Sequence, residues 1–296
     1  MVKIPTDGAA GANRLIRVAH ADRSAPRAKD RVLSVRTRTA TGRRESLEDR
    51  VRAVMLVEPG SPSLQTIVGG VFDGAGGHEA GETAADLTSA VAVSSAVRGV
   101  LSRCGCWLTA SVERDILTGA LHDANASVAA LSRTVEPLRG MASTASVFIM
   151  TPGRITTAWV GDSRGYLIGA DRAMRLTRDH TEAQRLVDDG HLDPEEAETH
   201  PAGHILIEYS GKQSGLRVDA ASLELQPDEI AVFVSDGVSG ALGDHGIAEL
   251  TGRCLGGGSS FDSLADRLVR EALVMGSTDN ASAVCARIIE AEGDHP

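Results

Sequence analysis

Short apolar runs alternate with Gly-, Pro- and Ser-rich breaks along most of the chain, and their period separates strands from helices. Val32, Leu33 and Val35 open a strand-like segment that continues into alternating Arg and Thr. Residues 51–57 and 65–72, joined by the Pro/Ser/Gly loop 58–63, read as a hairpin. Small and apolar residues at helical spacing then predict helices over 79–103 and 112–131, which side by side would cover one face of a sheet. Strands over 144–150, 155–160 and 166–168 follow, separated by Pro152-Gly153 and by Gly161-Asp162-Ser163-Arg164, so neighbouring strands run antiparallel. A helix over 181–189 ends at Gly190. Residues 191–211, with Pro194, Pro201 and three histidines, form a long surface excursion of the kind that often carries function. Strands over 216–225 and 230–234, a helix over 260–274 and a strand over 281–289 complete the body. This order favours an α+β fold of antiparallel sheets with helices outside.

Composition fits a folded, water-soluble chain: 42% hydrophobic and 24% charged residues, with only 3% aromatics, so Val, Leu, Ile and Ala must build the core. Residues 1–38 hold nine Lys or Arg against three Asp, an excess of six positive charges in a chain whose net charge is −10. A flexible basic tail is expected over 1–30, one domain over 31–290 and a short tail over 291–296. The acidic body argues against nucleic acid as the main partner. No signal-like run or bilayer-crossing stretch is expected, which points to a cytoplasmic protein, taken as a monomer. Cys104, Cys106, Cys254 and Cys285 show no framework spacing and read as reduced thiols.

Four acidic motifs sit where apolar runs begin or end: Glu48-Asp49, Asp73-Gly74, Asp236-Gly237 and Asp279-Asn280. Taken singly, Asp-Gly after a strand is an ordinary turn. If the strands are neighbours, several carboxylates converge, and a hard divalent cation with oxygen ligands would relieve their repulsion.

In this order and spacing the blocks RRESLED, VFDGAGGHEAGE, TAWVGDSRGYLI, LTRDHT, DDGHLDPEEAETHPAGH, VFVSDGVSGAL and STDNASAV resemble the metal-dependent protein phosphatase family, protein phosphatase 2C, in its bacterial style. The resemblance covers roughly residues 32–289. It implies two packed antiparallel β-sheets flanked by α-helices on the outer faces, with Mn²⁺ or Mg²⁺ in a cleft at one end. It further implies that Asp73 bridges two metal ions, that Gly74 lends a backbone carbonyl and that Asp236 and Asp279 bind one metal. Glu48 lies near the other, and Asp162 with Asp236 holds a third, weaker ion. Arg44 falls where members grip the substrate phosphate, and Asp49 and Asn280 orient groups around the metals. The implied reaction is hydrolysis of phosphoserine and phosphothreonine esters in a phosphorylated protein substrate by metal-activated water. The alternative is a non-catalytic relative that keeps the fold as a binding or sensing module; retention of Glu48, Asp73, Asp236 and Asp279 favours the enzyme.

Some positions depart from the family pattern. Leu47 replaces a usual Asn. Ala75 stands where eukaryotic members carry a histidine thought to act as general acid; His78 is a candidate substitute, with water as the default proton donor. Glu208 takes a position often basic in relatives, which predicts a preference away from acidic phosphopeptides. An Arg164–Asp162 ion pair competes with the metal role of Asp162, and His180, His191, His200 and His204 read as surface or flap residues.

Overall fold

Residues 31–58, 61–76, 78–103 and 108–290 are described by the structure, a computed structural model. The expected tails, together with Cys104 and Cys106, lie outside the described residues. In chain order the strands are β1 (Arg31–Ala40), β2 (Arg50–Glu58), β3 (Ser61–Phe72) and the short β4 (Gly74–Ala75). Helices α1 (His78–Leu101) and α2 (Ala110–Thr134) follow. Next come β5 (Ala142–Ser143), β6 (Ala145–Thr151), β7 (Arg154–Val160), β8 (Arg164–Ile168) and β9 (Ala173–Arg175). The chain continues through α3 (Glu182–Asp188), α4 (Pro194–Ala197), a 3-10 turn (Pro201–His204), β10 (Asp219–Glu224) and β11 (Ile230–Val234). It closes with α5 (Asp236–Leu255), α6 (Leu264–Val274) and β12 (Ala281–Glu290).

Two five-stranded sheets form, ordered β1-β12-β11-β8-β9 and β10-β7-β6-β3-β2, with β4-β5 as a small annex. All their pairings are antiparallel. Between the sheets lie Leu33, Val35, Ile67, Val71, Leu167 and Val284, all buried. Phe148 of one sheet stacks on Phe233 of the other at 4.5 Å between ring centres, so two of the four phenylalanines sit at the interlayer contact. Helices α1 and α2 pack on the outer face of the sheet containing β3, with Leu117, Leu121 and Ala124 buried against Phe72 and Val147. Helices α5 and α6 cover the other sheet, where Leu264, Leu268 and Val269 meet Val232 and Ala283. The α+β architecture is therefore four layers, helices–sheet–sheet–helices.

Three elements differ from the sequence expectation. The helix α5 goes unread because five glycines interrupt its apolar pattern, and at Gly243 (φ 63°, ψ 171°) the helix is broken by a kink. The 191–211 excursion contains α4 and a 3-10 turn, each entered through a proline. No bilayer-length stretch was expected, yet 79–101 of α1 is long and apolar enough by length and composition, with mean hydropathy 1.2. Its Ala and Val content raises the hydropathy, and in the fold it packs between α2 and β3.

Candidate metal centre

The acidic residues meet because Glu48-Asp49 and Asp162 lie on the chain's crossings between sheets and the other motifs lie at strand or helix ends beside those crossings. Glu48 and Asp49 sit on the β1–β2 crossing and Asp162 on the β7–β8 crossing. Asp73 follows β3, Asp236 opens α5 after β11, and Asp279 precedes β12. Hydroxyls and one amide fix these loops. The Asp73 amide donates to Thr144 Oγ1 (3.0 Å) and the Thr144 amide to the Asp73 carbonyl (2.8 Å). Thr144 Oγ1 also lies 2.7 Å from Ser163 Oγ, which ties the Asp162 loop to the Asp73 loop. Ser235 Oγ donates to Asp49 Oδ2 (2.8 Å) and accepts from the Ser282 amide (3.1 Å).

Asn280 ties the start of β12 to the β1–β2 crossing. Its Oδ1 accepts from the Glu48 amide (2.6 Å), and its Nδ2 donates to the carbonyls of Thr41 (2.8 Å) and Ser46 (3.0 Å). At Gly237 a Cβ would stand 1.9 Å from the Asn280 carbonyl oxygen, so only glycine lets α5 start against this loop. Gly81, in the first turn of α1, leaves room for Glu48: a Cβ there would lie 1.9 Å from Glu48 Oε2.

The carboxylates lie within electrostatic reach of one another. Burial, then the charge of Asp236, holds Asp73 well above the usual carboxylate range, and the two carboxyl groups share a hydrogen bond. Burial, then Asp236 and Asp179, does the same to Asp162. Asp236 is likewise raised, first by burial, although the bond from Asp73 works in the opposite sense. Asp49 is buried and pushed up to about 7 by desolvation, with hydrogen bonds from Ser282 and Ser235 opposing the shift.

Among the described residues no three acidic or histidine side chains already close on one point as ligands. The outer members of the group are engaged elsewhere. Asp279 Oδ2 accepts from Arg44 Nη2 (2.6 Å) and its Oδ1 from the Asn280 amide (2.8 Å), while Glu48 Oε1 accepts from Ser46 Oγ (2.9 Å). The inner members are under-satisfied: Asp236 Oδ1 and Asp49 Oδ1 are buried with no hydrogen-bond partner. Orphaned anionic oxygens among mutually repelling carboxylates form a hard donor set that suits Mg²⁺ or Mn²⁺, and the residues present fit such an ion.

Other expectations from the sequence resolve differently. Arg164 forms no ion pair with Asp162; it binds Asp179 (2.8 Å) and Asp244 (2.9 Å), and its charge only partly offsets the raising effect of burial, Asp236 and Asp179 on the Asp162 carboxyl. Glu208 is 9% exposed and saturated by Lys212 Nζ (2.9 Å) and the Arg217 amide (2.9 Å), so it braces the loop and cannot sort substrates by surface charge. His180 is buried against Asp219 (3.1 Å), not on the surface. His204 is exposed on the flap as expected, and its field reaches Asp236. The backbone of His78 opens α1; its side chain lies outside the described residues. Ser235, Thr144, Ser163 and Gly81 were not foreseen as site-building residues. The small hydroxyl residues beside Asp236 and Asp162 were the available signal.

Comparison with known proteins identifies the family. The family model for protein phosphatase 2C matches residues 34–190. The chain is 28% identical over 210 residues to the serine/threonine phosphatase stp of Listeria innocua, covering 71% of this chain and 80% of that protein. It is 30% identical over 219 residues to the serine/threonine protein phosphatase PstP of Mycobacterium tuberculosis, covering 74% of this chain and 40% of that longer protein. The crystal structure of that phosphatase superposes with a TM-score of 0.69 at 27% identity, covering 86% of this chain and 98% of the solved one. The matched span carries Glu48, Asp73 and Asp162, and the fold delivers Asp236 and Asp279 to the same cleft from beyond it. On sequence and architecture together, the chain belongs to the protein phosphatase 2C family.

Proposed function

We propose that this protein phosphatase hydrolyses phosphoserine and phosphothreonine esters of proteins at a centre of two divalent cations, Mn²⁺ or Mg²⁺. Asp73 and Asp236, with the Gly74 carbonyl, Glu48 and Asp279, would hold the pair; Asp162 with Asp236 would hold a weaker third. Bound there, the cations would lower the pKa of water toward neutrality and screen the charge of the phosphate dianion. Observations on the chain's own residues support the rest of the reading. Arg44 stands on the cleft rim, 57% exposed, with a planar fork able to take two phosphate oxygens once it leaves Asp279. Asn280 and Ser235 hold the Glu48-Asp49 loop against α5, which fixes where the carboxylates point. Water serves as proton donor to the leaving serine or threonine oxygen, because Ala75 offers no proton.

The observation that carries this reading is the half-buried Asp73–Asp236 pair, with Asp236 Oδ1 itself buried and unpartnered. The test is turnover of a phosphothreonine peptide, expected with Mn²⁺ or Mg²⁺ and lost on chelation or in Asp236→Asn. Equal turnover in excess chelator would overturn the mechanism. A folded chain that binds the phosphopeptide yet never turns it over would point to the non-catalytic alternative.

A further inference from the structure

Beside the catalytic cleft is a second cavity that the hydrolytic reading does not use. It measures about 320 Å³ and lies between the C-terminal end of α2, the turn at Gly140-Met141 and the chain leaving the flap at Tyr209, Gly211 and Gln213. Its floor is firm: Met141 and Ser132 are buried, and Ser132 Oγ accepts from the Gly140 amide (3.0 Å). Its rim is basic. Arg133 is held by a neutral partner, the Gln213 amide oxygen (3.0 Å), and among the described residues no ion pair neutralises it. Arg139 pairs with Glu136 (2.6 Å), but both side chains are open to solvent, 69% and 76% exposed, so a competing anion displaces that contact at little cost.

Two guanidinium groups stand over a cavity with polar and phenolic walls on a chain of net charge −10, and they select for anions. The cavity is also joined to the reaction centre. Two residues beyond Met141, Ser143 pairs with Gly74 in the β4–β5 annex, and the Ser143 and Ser210 backbones exchange hydrogen bonds of 3.0 and 2.8 Å. The Thr144 amide then donates to the Asp73 carbonyl. The cavity wall is thus linked by backbone hydrogen bonds to the loop that presents Asp73.

We propose that this cavity is a docking site for an acidic segment of the phosphoprotein substrate, whose carboxylates sit between Arg133 and Arg139 while the phosphoresidue occupies the cleft. The proposal rests on the hydrolytic reading for its purpose but not for its test. It reverses the preference expected from Glu208, which the fold has neutralised internally.

The experiment uses the full chain and the double variant Arg133→Glu, Arg139→Glu, whose side chains are exposed and whose folding is checked by thermal melting. Binding of a fluorescent, unphosphorylated Glu-rich peptide is read by anisotropy beside a neutral peptide of equal length. The expected result is tighter binding of the acidic peptide to the natural chain, weakened about fivefold or more in the variant and by raised salt. Hydrolysis of p-nitrophenyl phosphate stays unchanged in the variant, while KM rises for a phosphothreonine peptide with an acidic flank. Equal affinity for the two peptides, or an unchanged acidic-peptide affinity in the folded variant, overturns the docking site. Loss of all turnover in the natural chain would instead count against the hydrolytic reading and leave the anisotropy result standing.

Discussion

Replacing Arg44 by alanine should move two measurements in opposite directions, because one side chain serves two anions. Arg44 Nη2 sits 2.6 Å from Asp279 Oδ2, and the other Asp279 oxygen is taken by the Asn280 amide, so a cation at Asp279 must displace the arginine. The two side chains are 57% and 36% exposed, which limits the pair to the solvent-screened regime of about 0.2–1 kcal/mol. Removing the competitor should therefore tighten cation binding by up to about fivefold. Loss of positive charge near Glu48 and Asp236 acts in the same sense. The phosphate, however, loses a charge-assisted fork, and KM for a phosphothreonine peptide should rise about tenfold. Calorimetric titration of Mn²⁺ into chelator-treated protein reads the first effect, and steady-state kinetics at saturating Mn²⁺ reads the second. Arg44→Lys should keep much of the competition while losing the fork, so its KM rises with little gain in affinity. Mn²⁺ binding that is unchanged or weaker in Arg44→Ala would refute the reasoning, because then the Arg44–Asp279 contact does not oppose the ion.

Asp236→Asn, besides abolishing turnover, should raise the melting temperature of the chelated protein by about 2–4 °C, since it removes one charge from a buried set of like charges; a lower melting temperature would contradict that account. Stability of the chelated protein should fall as pH rises from about 4 toward about 7. Asp49, Asp73 and Asp162 have folded-state pKa values above their unfolded ones, so the stability they add is present at low pH and drains away as pH rises through the folded value, about 7 for Asp49. His180 is shifted downward by burial, so its own contribution is lost as pH falls below about 6.5; within the same window it opposes the carboxylates, one group against three. Melting scans with and without Mg²⁺ check this, and a flat or rising profile in chelator would count against it. Gly81→Ala should displace Glu48 Oε2, the end of a flexible side chain, and so raise the Mn²⁺ concentration for half-maximal activity severalfold. Its stability should change by no more than about 1 kcal/mol, because the helix preference of alanine over glycine is set against a tight Cβ contact of 3.1 Å with the Gly74 carbonyl oxygen; a larger loss would show that the backbone does not give.

What the sequence disclosed about the fold and site follows from the reach of each signal. Strands β6, β7 and β11 were legible because Val, Ile, Ala and Phe crowd between turn residues and both faces of each strand are buried. Helix α5 was not, because its first turn is built for close approach to Asn280 and not for helical preference; the glycines that permit it also erase the apolar period. The acidic motifs were visible as residues at the ends of apolar runs. Their present partners were not, because Arg44 meets Asp279 across 235 residues and Asn280 reaches Glu48 across 232. Glu208 misled for a related reason: its charge was visible, but the Lys212 and Arg217 contacts that consume it depend on how the loop after the flap folds back.

The centre is held by both sheets at once, and its inner residues are tied by short hydroxyl and amide contacts, while the Arg44–Asp279 ion pair sits at the rim. Asp73 comes from the sheet of β3, while Asp236 and Asp279 come from the sheet of β11 and β12. Any slip of one sheet over the other would move these carboxylates apart along the cleft. Interior packing is dense and poorly compressible, so the Phe148–Phe233 stack and the buried layer around it fix the relative height of the two sheets. The crossings then need only local ties, which Thr144–Ser163 supplies for Asp162 and Ser235–Asp49 for the other crossing. A salt bridge in those places would bring a cation side chain to compete with the metal. Neutral hydroxyls hold the geometry and leave the negative charge of the carboxylates uncompensated for the ions they would bind.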